Sequence, residues 1–209
     1  LNLNWLAKNL KDNAVIFDIG AADLNDTRRI KAVFPNATFY AFECAQSWAE
    51  QNKVTAKEHG INYYHMAVSN TNGNLTFYPS AMLDGQEWPW SGSVCEPGPN
   101  LKNERWQWGE GYTVPSITLE TFCSVHNTSP DFIHIDVQGA EHKVFSAAGT
   151  IRPSIVWAEI SEFNMYNTGT TYEEFRLLME SLGYSEKFKD EHDALYILND
   201  FKTTDYYSE

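Results

Sequence analysis

The sequence predicts an α/β fold, a doubly wound and mostly parallel seven-stranded sheet with an antiparallel edge strand. Short apolar runs recur along the chain and close on an acid, at Asp18, Glu43, Asp136 and Glu159. Segments of helical period separate them, the alternation from which a parallel sheet is built. Near the end, Tyr184 to Phe188 and Ala194 to Leu198 are strand-like runs close enough to pair antiparallel.

The run Ala14 to Asp18 has no polar residue before its acid, as in a strand buried on both faces, and it turns at Gly20. Asn25, Asp26 and Thr27 offer caps for a helix carrying Ile30, Val33 and Phe34, which Pro35 stops. Thr38 to Glu43 repeats the strand, and Gln46 to His59 reads as a helix ended by Gly60. Strand-like stretches from Ile61 to Val68 and from Leu75 to Tyr78 flank Asn72-Gly73, which predicts a hairpin. From Pro79 to about Tyr112, Gly, Pro and Trp dominate and no period emerges; so long a stretch is an insertion or lid rather than a connector. Regular structure resumes with a helix over Leu119 to Val125, the strand Phe132 to Asp136, the turn Val137-Gln138-Gly139 and a helix carrying Val144 and Phe145. Ile155 to Ile160 forms another strand, and Thr171 with Glu174 makes a capping box for a helix through Leu182, closed by Gly183. One domain over 1–209 is expected, with the Trp-rich lid at about 79–112.

Such a chain is long enough to bury a core without disulfides or metals. No apolar run approaches bilayer length, so no membrane partner is expected. The net charge of −13, unbroken by a basic stretch, disfavours nucleic acid, whose binding depends on neutralising phosphates. Cys44, Cys95 and Cys123 form no C-x-x-C pair and are expected to be reduced and structural. The absence of an apolar leader points to a cytoplasmic location. No metal-ligand spacing is present, and no metal is expected.

In a doubly wound sheet, ligands bind beyond the carboxyl ends of the strands, where the strand order reverses. The four acids would gather there, although any one of them could equally cap a helix. Asp18 to Leu24 has the form of a nucleotide-binding turn, with Glu43 placed to accept from both hydroxyls of a ribose. A nicotinamide dinucleotide would use the same pair, so an NAD-dependent oxidoreductase is an alternative. A catalytically silent nucleotide-binding module is another, raised by Ala22 and Leu24. Only Gly20 of the usual glycines is present, which suits a cofactor without a pyrophosphate and favours S-adenosylmethionine. Asp18 would organise the loop, Ala21 and Ala22 would line it, and Asp23 would meet the cationic end of the methionine. Cys44 joins this set, and His65 and Met66 flank the adenine or pack in the core. For a hydroxyl acceptor a base is useful, and Asp136, also beside the cofactor, is the first candidate, followed by Glu159 and His134. His134 alternates with Ile133 and Ile135, a position equally suited to a core histidine. Glu141 would contact the acceptor or simply favour the start of its helix. Trp88, Trp90, Trp106 and Trp108 would stack on an acceptor or tether the insertion.

The segment Asp131-Phe132-Ile133-His134-Ile135-Asp136-Val137-Gln138-Gly139-Ala140-Glu141 resembles the strand and following Asp-Val-Glu/Gln-Gly-Ala-Glu of the FkbM family of S-adenosylmethionine-dependent methyltransferases. Val15 to Gly20, Ala41 to Glu43, Ala67 to Phe77 and Val114 to Leu119 are similar as well, so the resemblance spans Val15 to about Ile197. Where the family has Gly-Ala-Asn-x-Gly, this chain has Gly20-Ala21-Ala22-Asp23-Leu24, and Cys44 replaces a common proline. The resemblance implies a class I methyltransferase fold and O-methylation of a hydroxyl on a sugar or secondary-metabolite-type small molecule, or on a glycan. The oligomeric state is left open.

Overall fold

The computed structural model describes residues 1–82, 90–98, 106–160 and 166–206. Helix α1 (Leu3–Asn9) opens the chain, with the Asn2 side chain accepting from Trp5 N as its cap. The first half then alternates as expected: β1 (Val15–Ile19), α2 (Asn25–Val33), β2 (Thr38–Phe42), α3 (Ala49–His59) and β3 (Asn62–Tyr64). A short 3-10 turn, Gln46–Trp48, precedes α3, and Gly60 closes it in the left-handed region at φ 63°.

Between β3 and the next element of the main sheet lie β4 (Ala67–Val68), β5 (Gly73–Phe77), β6 (Ser80–Met82), β7 (Trp106–Trp108) and β8 (Tyr112–Ile117). The chain then continues through α4 (Leu119–His126), β9 (Phe132–Ile135), α5 (Glu141–Ser146), β10 (Ile155–Glu159), α6 (Tyr172–Ser181), β11 (Tyr184–Lys189) and β12 (Asp193–Leu198). The expected capping box at Thr171 and Glu174 is formed.

The seven-stranded sheet has the order β11-β12-β10-β9-β1-β2-β3. β12 pairs antiparallel with both β10 and β11, and the other pairs are parallel. Because the side chains alternate, each inner strand feeds two cores. Phe17, Ile133 and Val156 face α4, α5 and α6 through Phe122, Val144 and Phe175. Ile16, Phe132 and Ile155 face α1, α2 and α3 through Trp5, Ile30 and Ala56. The chain runs outward from β1 to β3 and resumes at β9 on the other side of β1, so the switch point lies between β1 and β9.

Three expectations are corrected. Asn72-Gly73 does not turn a hairpin between neighbours: β4 and β5 flank β8 in a three-stranded sheet of order β4-β8-β5. The Asn72 side chain instead accepts from Thr118 N and donates to Thr121 Oγ1, fixing the start of α4. Helix α2 has no side-chain cap; its N-cap is Leu24, at φ 64°, while Thr27 Oγ1 donates inward to Asp18. The 79–112 segment is not wholly irregular, since β6 and β7 pair antiparallel across it.

Candidate functional site

At the switch point Gly20 turns β1 away from the sheet at φ 85°, and a Cβ there would sit 1.7 Å from the Asp136 carbonyl oxygen. Glycine is therefore required where β1 and β9 part. Gly20 N and Ala21 N both donate to Phe42 O at 2.9 Å, which lashes the loop to β2. Ala22 N donates to Glu43 Oε2 at 2.9 Å, and Ala45 N donates to Glu43 Oε1 at 2.7 Å. Each carboxylate oxygen keeps further acceptor capacity. Burial pushes the Glu43 carboxyl up to about 7 against the pull of these bonds.

Glu43 lies on the wall of a cavity with about 410 Å³ between its lining atoms. Gly20, Cys44, Met66, Phe77 and Asp136 share that wall, and Gly92, Ser93 and Val94 close it. The strip 90–98, part of the Trp-rich insertion, thus covers this cavity. Ser93 is bridged to Tyr78, and Pro97 to Tyr166. His65 is not on the wall; its Nε2 lies 3.1 Å from Cys44 O, behind the cavity.

Asp18 is buried and accepts from Thr27 on one oxygen, while its Oδ1 lies 2.8 Å from His134 Nδ1. Burial works against a charge on His134, but Asp18 outweighs it and holds the imidazole up to about 9. Asp23 is taken up locally, with both oxygens paired to Asn25. His134 faces a second, more polar crevice with Asp26, Arg29, Glu159 and Asp193 on its walls and about 560 Å³ between them.

Asp136 lies on the wall of the first cavity. Burial and the neighbouring Glu159 hold its carboxyl well above the usual carboxylate range. Partial desolvation and Asp193 raise Glu159 as well. Gln138, at the head of the turn after β9, donates to Asp136 Oδ1 at 2.7 Å and to Glu159 Oε1 at 3.4 Å. Glu141 is buried under the same turn: its Oε1 accepts from Val137 N at 3.3 Å and Gly139 N at 3.1 Å. Among the described residues its Oε2 has no partner, and burial pushes this carboxyl up to about 7.

The structure thus brings Gly20, Glu43, Cys44, Met66 and Asp136 around one cavity and sets His134 and Glu159 in the adjoining crevice. Trp90 is exposed and packs on Trp48 with ring centroids 4.9 Å apart, and Trp108 meets Tyr166 edge-on at 5.6 Å. Trp88 and the Trp106 side chain lie outside the described residues. Ser93 and Tyr166 carried no signal in the sequence, and Gln138 was visible only as the Glu/Gln position of the family motif and as part of a glycine turn. No helix among the described residues is long and apolar enough to cross a membrane. No group of three or more His, Cys, Asp or Glu side chains among them could hold a metal ion.

The model of the methyltransferase FkbM domain matches residues 18–186. The 2-O-methyltransferase NoeI of Sinorhizobium fredii (strain NBRC 101917 / NGR234) is 30% identical over 162 residues, 75% of this chain and 67% of that protein. Among solved structures, methyltransferase FkbM from Methylobacillus flagellatus KT superimposes with a TM-score of 0.56 at 12% identity, over 90% of this chain. The match spans only 44% of the Methylobacillus chain. Aeropyrum pernix fibrillarin, solved with natively bound S-adenosyl-L-methionine, gives a TM-score of 0.52 at 12% identity over 92% of this chain and 72% of that one. The structural likenesses establish the class I methyltransferase fold. The match over residues 18–186, which takes in both the β1 loop and the turn after β9, establishes that the chain belongs to the FkbM family of methyltransferases.

Proposed function

We propose that this protein transfers the methyl group of S-adenosylmethionine to a hydroxyl oxygen of a sugar-like acceptor. The observation that carries the reading is the make-up of the loop and the acids around it. Glu43, Asp136 and Glu159 converge at the carboxyl end of the sheet, with Glu141 buried beneath the turn, and the loop above them presents only Gly20 as a glycine. A loop with one glycine approaches the pyrophosphate of NAD poorly, and carboxyls that burial holds towards the protonated form ionise more readily beside a cofactor that carries positive charge.

The residues fit such a cofactor. Glu43 can accept from a ribose diol with the capacity its two backbone bonds leave free. Met66, Phe77 and Val94 offer apolar surface for a base. Bound there, S-adenosylmethionine would supply a methyl group on a positively charged sulfur, open to displacement by oxygen. The polar crevice with Asp26, Arg29, Glu159 and Asp193 suits a polyhydroxylated acceptor, in keeping with the 2-O-methyltransferase named above. Asp136, on the cavity wall and linked through Gln138 to Glu159 of the crevice, is the candidate to receive the proton of the attacking hydroxyl. His134, held protonated by Asp18 at neutral pH, cannot serve as that base; its charge offsets the surrounding acids.

Calorimetry with S-adenosylhomocysteine and with NAD tests the cofactor: binding is expected for the first alone, and the reverse result would replace the reading with the oxidoreductase. The Asp136→Asn variant should bind S-adenosylhomocysteine like wild type yet lose about 10²- to 10⁴-fold in kcat on a glycoside panel. Full turnover would transfer the role of base to Glu159.

A further inference from the structure

The apolar cavity has Asp136 on its wall and the polar crevice has Glu159, and Gln138 joins the two. Every polar group of Gln138 beyond its own N–H is engaged. The side-chain amide donates to both carboxylates, Oε1 accepts from the Tyr166 hydroxyl at 3.3 Å, and the backbone carbonyl accepts from Ser93 Oγ at 2.7 Å. Ser93 belongs to the strip 90–98, and Tyr166 lies against that strip through its bridge to Pro97. Tyr166 shares its proton with Ser91 O at 2.9 Å, and Ser93 Oγ accepts from Cys95 N at 3.0 Å. Gln138 also stands at φ 52°, a conformation that glycine adopts without strain. What glutamine adds there is its amide.

We infer that Gln138 is a positioning residue of the methyl transfer, which fixes the orientation of Asp136 and makes it depend on the strip 90–98 being seated. This rests on reading Asp136 as the base. The amide carries no charge, so it can donate to two acids at once without adding to their repulsion. By donating to Asp136 it favours the ionised carboxylate. The other groups facing Asp136 are Glu159 from β10, His134 from β9, Glu141 from α5 and the Tyr166 phenol; of these, Glu159 and Glu141 oppose its ionisation and His134 assists it. If the strip lifts, Gln138 loses the bond from Ser93, and Tyr166 loses Ser91 O and the bridge to Pro97 that seat it, so the tether on Asp136 loosens.

The test is a carboxyl NMR titration of the full chain, labelled at Asp and Glu, in wild type, Gln138→Leu and Gln138→Glu, with hydrogen exchange read at the Cys95 amide. In Gln138→Leu the Asp136 midpoint should rise by about one pH unit or more, because a donor to the charged form is gone. In Gln138→Glu, where a further acid replaces the donor, it should rise more. Ser93 Oγ ties to the Gln138 backbone carbonyl, which Gln138→Leu keeps, so exchange at Cys95 should stay near wild type there, while Ser93→Ala, which cuts that tie, should raise the Asp136 midpoint in its own right. An unmoved midpoint in Gln138→Leu overturns the proposal. If Gln138→Leu does not fold, Ser93→Ala and Tyr166→Phe remove the ties singly; a midpoint unmoved in both overturns the coupling. The base reading fails separately: full turnover by Asp136→Asn, alongside a midpoint that does respond to Gln138, sinks the role in transfer while leaving the tether itself standing.

Discussion

Two turns face each other across the switch point, and they are held in different ways. The 20–24 loop is left-handed at Gly20, Ala22 and Leu24, and its hydrogen bonds come from β2 and α3. Phe42 O and Glu43 accept its N–H groups, Asn52 Nδ2 donates to Ala22 O at 2.5 Å, and the Leu24 side chain is fully buried. The 137–139 turn is left-handed at Gln138 and Gly139 and has two sets of supports. Glu141 holds it from beneath, while Ser93 and Tyr166 hold it from above. Strain in the first loop is therefore a fixed property of the fold. In the second it depends on contacts from segments far along the chain.

The sharpest way to break the first loop is to remove its anchor. Leu24→Ala keeps the left-handed backbone, at a penalty of roughly 1–2 kcal/mol that any L-residue bears, but empties the pocket that offsets it. Denaturant unfolding should show a loss of about 2–5 kcal/mol. A loss well under 1 kcal/mol would mean that hydrogen bonds rather than packing fix the loop.

The support beneath the second turn gives a pH signature. Burial raises the Glu141 carboxyl from its ordinary 4.5 to about 7, so the folded state holds this proton more tightly than the unfolded chain does. Its contribution to stability is complete below about 4.5 and is lost as pH rises through about 7. Glu141→Gln cannot ionise and keeps an acceptor for Val137 N and Gly139 N. Relative to wild type it should gain on the order of 2–3 kcal/mol between pH 4.5 and pH 8, read from urea curves at each pH. Parallel curves for the two proteins would show that Glu141 is not the group responsible.

Glu43 serves the first loop and the cavity together. Glu43→Ala should weaken S-adenosylhomocysteine binding by about 1.5–3 kcal/mol, the range for a bond to a charged group. Unchanged affinity by calorimetry would confine Glu43 to holding Ala22 and Ala45.

The two turns also differ in how much of them could be read from the residues alone. The strands Ala14 to Asp18, Thr38 to Glu43, Phe132 to Asp136 and Ile155 to Ile160 are local apolar runs, and each lies within a residue or two of its place in the sheet. The loop at Gly20 and its acid Glu43 follow from spacing along one βαβ unit. The supports of Gln138 do not, because Ser93 and Tyr166 reach it across 45 and 28 residues from segments with no period. The hairpin expected at Asn72-Gly73 failed for a related reason. β8, which takes the place between β4 and β5, comes about forty residues later, and local turn chemistry cannot announce a partner at that distance. Ala22 and Leu24 stand where the family has Asn and Gly, and both are left-handed here, a conformation that Asn and Gly bear more easily.

That last point gives the smallest effect and the cleanest contrast. Ala22, at φ 41°, bears the left-handed penalty with no side chain beyond Cβ to offset it, and its N–H and carbonyl bonds survive any substitution that keeps the backbone in place. Ala22→Gly removes a penalty of roughly 1–2 kcal/mol but gives the unfolded chain more freedom, worth roughly 0.5–1 kcal/mol. The net expectation is a gain of up to about 1 kcal/mol, with S-adenosylhomocysteine affinity unchanged. Gln138→Gly relieves the same kind of strain at φ 52°, yet it discards the bonds to Asp136, Glu159 and Tyr166. It should therefore gain no stability. Equal stabilisation by the two glycines would show that the amide of Gln138 contributes nothing to holding its turn, and the distinction between a loop set by the fold and a turn set by its cover would collapse.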